Sequence, residues 1–111
     1  MMRAYLIDEI STTDMKKIAK FLGEHAMSSS LSKIFWVRIP DDLLSPTQYA
    51  HSECRPHVFA VELSDHWIKL EFFVRSLKSM RCTCPGYCTK GQRNYVIHFA
   101  HSMIEQLGVR T

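Results

Sequence analysis

The sequence predicts one α+β domain spanning residues 1–111. It is expected to be a two-layer sandwich: an antiparallel or mixed sheet of about four strands, two long helices on one face and one short helix. Three observations lead there. A chain of 111 residues that is 46% apolar has room for one core and not two. Its elements run strand, helix, strand, short helix, hairpin, helix. Apolar residues recur at helical spacing near both ends of the chain and alternate through the middle.

Residues 4–10 read as the first strand. Ser11 then supplies a helix N-cap with Asp14 three positions on, the arrangement of a capping box. In the helix that follows, Met15, Ile18, Ala19, Leu22 and Ala26 form one apolar stripe, Lys16, Lys17, Lys20 and Glu24 take the other side, and the serines at 28–30 close it. Residues 33–39, rich in β-branched and aromatic side chains and stopped by Pro40, form the second strand, with Phe35, Val37 and Ile39 on one face and Ile34 and Trp36 on the other.

Ser45-Pro46-Thr47-Gln48 combines a cap, a proline suited to the first helical position and a glutamine able to reach back, so a short helix should run through about Ser52. Residues 57–63 and 66–75 alternate and are joined too tightly for anything but a hairpin. With Asp65 and His66 at its tip, Glu62 faces Lys69, while Leu63 pairs with Ile68, Val61 with Leu70 and Phe59 with Phe72. That register puts Val58 and Phe73 beside Trp36 on the second sheet face, where a homodimer contact or a covering segment is expected. Thr89 to Gln92 is a third capping box, opening a helix whose stripe is Val96, Phe99, Ala100, Met103 and Leu107 and which ends before Gly108.

Charge and composition narrow the function. The longest uncharged run covers residues 94–104, 11 positions including two histidines, far short of the roughly 20 apolar residues of a membrane span. Acids at Asp8 and Glu9 and the lack of an apolar leader point to a cytoplasmic chain, in which the four cysteines read as thiols or metal ligands before disulfides. The net charge of +3 is too small to argue for nucleic acid. It is unevenly spread: residues 72–104 hold no acid, while Arg75, Lys78, Arg81, Lys90 and Arg93 give +5.

Three cysteines, Cys82, Cys84 and Cys88, fall within that basic segment in a loop bent by Pro85-Gly86. Soft thiolates at this spacing select zinc or an iron-sulfur cluster, and a structural zinc needs a fourth donor. Cys54, at the start of the hairpin to which the cysteine loop returns, is the preferred fourth ligand, with His57 as its substitute. His98 and His101 share a helix face with Glu105, but it lies opposite the core stripe and is read as solvated. The main reading is therefore a small structural-zinc interaction domain that presents a basic surface to an anionic or protein partner.

Two other readings accompany it. A thiol redox protein would use Cys88, activated at the mouth of the last helix by the dipole, Lys90 and Arg93, with Cys84 resolving it. A scaffold would leave the cysteines idle. The start of that helix, with Thr89, Lys90 and Arg93, also offers an anion site, but no nucleotide-binding glycine motif or nucleophile elbow accompanies it.

Overall fold

The computed structural model describes residues 3–31, 33–78 and 82–111. Its elements are β1 (Ala4–Ile7), α1 (Thr12–His25), β2 (Met27–Ser28), β3 (Ile34–Arg38), α2 (Pro46–Ala50), β4 (His57–Leu63), β5 (Ile68–Glu71), β6 (Phe73–Ser76), β7 (Gly86–Tyr87) and α3 (Lys90–Leu107), with 3-10 turns at Asp41–Leu43 and Ser52–Cys54. The class is α+β. The sheet is larger than expected, with seven strands among the described residues in place of about four, and every pair is antiparallel. The order is β1-β5-β4-β3-β2, with β6 against β4 and β7 against β6. Three features account for the difference: two-residue strands form at Met27–Ser28 and Gly86–Tyr87, and the second strand of the hairpin divides in two.

The tip half of that hairpin has the predicted register: Leu63 faces Ile68, Glu62 faces Lys69 and Val61 faces Leu70. Lys69 Nζ lies 3.2 Å from Glu62 Oε1 on the outer face. Both side chains are substantially exposed, so Glu62→Ala is expected to lower stability by no more than about 1 kcal/mol in denaturant titration. The predicted Phe59–Phe72 pair does not form. Phe72 leaves the ladder, donating its N–H to the Arg3 carbonyl and accepting from Cys88 N–H. Pairing resumes with Val58 opposite Arg75 and His57 opposite Ser76, so four residues of the second strand span two of β4. This bulge releases β6 to receive β7 on its far edge, with Phe73 opposite Tyr87 and Val74 opposite Gly86.

The core lies between one sheet face and the two long helices. Val37, Ile39, Phe59, Val61, Leu63, Ile68, Leu70 and Phe72 meet Met15, Ile18 and Leu22 of α1 and Val96, Ala100 and Met103 of α3. Phe59 is fully enclosed, with Phe99 and Tyr95 meeting it edge-on at centroid distances of 5.7 and 6.5 Å. The first strand is shorter than predicted, because the chain turns at Glu9 (φ 57°) and Ile10 plugs the core, its N–H bonded to the His66 carbonyl. His98 and His101 are exposed as expected, His101 meeting the Tyr5 hydroxyl at 2.6 Å.

Val58 departs from the expected dimer patch. It is completely buried, outside the main core cluster, whereas Trp36 and Phe73 remain partly exposed.

Candidate metal centre

Two capping boxes position the site. Ser45 and Gln48 exchange hydrogen bonds at the start of α2, and Thr89 and Gln92 do the same at the start of α3. At α1 the arrangement is half complete: Ser11 accepts from Asp14 N–H, while the Asp14 carboxylate accepts from Arg110 N–H and pairs with Lys17. The two glutamines are buried and do more than cap. Gln92 Nε2 donates to Gln48 Oε1 at 2.8 Å and to the Leu43 carbonyl at 3.0 Å, and Gln48 Nε2 donates to the Cys84 carbonyl at 3.2 Å. The start of each helix is thereby tied to the cysteine loop. Burying these amides is tolerable because they are paired.

On the other side of the loop, α2 ends at His51, and the next turn carries Cys54 inward to 3% exposure. The end of β6 fastens this segment: the Ser76 hydroxyl donates to the Cys54 carbonyl, and Leu77 N–H to that of Pro56. The bulge at Phe72 has delivered β6 to this point, so the chain re-enters at Cys82 facing His51.

His51 Nδ1 lies 2.9 Å from Cys82 Sγ and 4.0 Å from Cys54 Sγ, and Cys82 Sγ lies 3.1 Å from Cys84 Sγ. All four donor atoms fall within 4.8 Å of one another. A tetrahedral zinc with bonds of 2.0–2.3 Å places its donors about 3.3–3.8 Å apart, so the observed spacings match the scale of a single-ion shell. This His/Cys group is near enough to hold a metal ion.

The composition of the group differs in part from the sequence expectation. Cys54, Cys82 and Cys84 come together, but Cys88 is not among the four and His51 stands in its place. After Pro85 the chain extends into β7, moving on by roughly 3.3 Å per residue, and Cys88 then binds Phe72 through its backbone and packs against the core. The arrangement is two pairs, His51-x2-Cys54 and Cys82-x-Cys84, where the sequence suggested three plus one. His51 carried a legible signal: it stands three residues from Cys54, as His57 does.

His57, the substitute ligand, is a neighbour of the group. Its ring is 1% exposed, with Nε2 3.4 Å from Cys84 Sγ and Nδ1 without a hydrogen-bond partner among the described residues. Burial, followed by the positive charge of Arg55, holds its pKa below the ordinary histidine value. The neutral ring with Nε2–H donating to the Cys84 sulfur fits this setting.

The three clustered thiols cannot share negative charge at such short range without a cation. Cys82 takes it: hydrogen bonds from the Cys54 thiol, then from the Cys84 thiol and N–H, bring its pKa down to about 6. Burial first, then the neighbouring Cys82 sulfur, pushes Cys84 up to about 12, and Cys54 is raised mainly by the hydrogen bond it gives to Cys82. A metal ion would remove this conflict by deprotonating all three.

For Cys88, the residue of the redox reading, the environment is apolar. Burial, with a smaller contribution from Glu71, raises its thiol to about 11 despite the opposing charge of Arg93. Desolvation thus opposes the activation that its place before α3 suggested. At the expected anion site, Thr89 Oγ1 and N–H are both engaged by Gln92, while Lys90 and Arg93 are exposed. In the basic segment Arg75 is paired twice with Glu71, Lys78 is exposed, and Arg81 lies outside the described residues. Among the described residues, no helix is long and apolar enough to cross a membrane. Searches against family models, curated proteins and solved structures find no significant match to this chain.

Proposed function

We propose that the protein is a small interaction domain built around a structural zinc held by His51, Cys54, Cys82 and Cys84. The observation that carries this reading is the convergence of one imidazole and three sulfurs within 4.8 Å from two separate chain segments. A four-donor set of this kind closes a tetrahedral shell, which is the pattern of structural and not catalytic zinc. Single-ion spacing favours zinc over an iron-sulfur cluster, whose ligands must spread across more than one iron. The exposed Lys78, Lys90 and Arg93 are positive charges suited to an anionic or acidic protein partner.

Protein purified without chelator or added metal is expected to contain near-stoichiometric zinc by elemental analysis. A protein that carries neither zinc nor another transition metal, and takes up none on titration, overturns the assignment.

A further inference from the structure

We propose that Cys82 is a reactive, metal-held thiolate that accepts the alkyl group of a small apolar ester with an anionic leaving group. This rests on the metal reading above and extends it, giving the centre a chemical function besides a structural one.

The three sulfurs are not equivalent. Cys54 and Cys84 are 3% and 5% exposed, and Cys84 is further shielded by the His57 ring against its sulfur. Cys82 is only partly buried, and it lines a groove on the outer sheet face together with Trp36, Phe73, Arg75, Leu77 and Pro85. An electrophile arriving from solvent therefore meets one thiolate of the three. The groove, about 460 Å³, is in the size range of small-molecule clefts.

Its walls specify the reagent. Trp36, Phe73, Leu77 and Pro85 are apolar or aromatic, suited to a carbon skeleton and not to a hydrated ion. Arg75 is the charged member of the lining. Two of its five N–H groups bind Glu71, which fixes the guanidinium at the groove beside Phe73, 5.0 Å from that ring's centroid. A positive group there complements negative charge that develops on a leaving oxygen.

The step balances without a further reactant. The Cys82 sulfur gives an electron pair to the alkyl carbon, an S–C bond forms as the C–O bond breaks, and the C–O pair departs on the sulfonate or phosphate oxygen. No proton would move in this step, because a bound metal ion would already have displaced the thiol proton. Cysteine ends as a thioether.

The test uses the full chain, with its metal content measured first, and methyl p-toluenesulfonate as the probe. Peptide mass spectrometry is expected to find a single methyl group on Cys82, added at least about tenfold faster than on Cys54, Cys84 or Cys88. Phe73→Ala should slow this reagent relative to methyl iodide, which has no aromatic leaving group to seat. In metal-loaded protein, methylation spread evenly over the cysteines, preference for Cys88, or no methylation overturns the proposal. A chain that binds no metal overturns it through the reading beneath it, and elemental analysis identifies that outcome before any reagent is added.

Discussion

Cys84→Ser is expected to abolish metal binding and to lower the free energy of unfolding by about 4 kcal/mol or more, which lies in the upper range for a single substitution because a bound metal is lost with the side chain. The effect should be larger at Cys84 than a lost thiol alone explains. Its sulfur is one of four donors and lies 3.4 Å from His57 Nε2, and its carbonyl is held by Gln48. Chelator added to the wild type should reproduce the melting temperature of the variant, and chelator added to the variant should change nothing. Cys88→Ser is the matched control, since that thiol is not part of the donor group and the metal content should stay full. A Cys84→Ser protein that keeps its metal and its melting temperature would remove the residue from the centre.

The second large effect is expected at a residue with no metal-binding atom. Gln92→Leu keeps the approximate volume and leaves the apolar contacts of α3 in place, yet it removes every partner of a fully buried amide. The Leu43 carbonyl, the Thr89 N–H and one bond to Gln48 Oε1 lose their matches. At about 1–3 kcal/mol for each buried group left unsatisfied, partly relieved by water at the loop, the cost should be about 3 kcal/mol. The exposed neighbour Lys90→Leu should stay within about 0.5 kcal/mol. Metal affinity should also fall in Gln92→Leu, because Gln48 loses the contact that orients it toward Cys84. A stability loss with unchanged affinity would confine the network to a packing role.

How much of this was readable in the chain depends on what leaves a periodic trace. The tip of the hairpin did, because alternation and one opposed charge pair, Glu62 with Lys69, select a single register. The bulge at Phe72 did not. It adds two residues, an even number, so Phe72 and Val74 stay inward and the pattern continues as if nothing had happened. Strands of two residues, such as β2 and β7, are too short to show a period at all.

For the site, proximity in sequence was a partial guide. Cys82 and Cys84 do meet Cys54, but Cys88 is carried off by an extended segment that its composition, glycine and tyrosine between a proline and a cysteine, did not announce. His51 was passed over for His57, although both stand three residues from Cys54. The choice between them is made by the helical turn on one side and the strand on the other, a matter of backbone path and not of spacing.

The bulge also shapes how the molecule holds itself together. It sends the second arm of the hairpin back past the first, so that the two donor pairs, separated by 27 intervening residues from Cys54 to Cys82, meet at the hairpin's open end. An ion bound there acts as a clasp on a closed ring of chain. In chain-entropy terms, a covalent bridge over such a span restricts the unfolded ensemble by roughly 3–4 kcal/mol. A coordinated cation can impose the same constraint and, unlike a disulfide, can be withdrawn without any change in oxidation state.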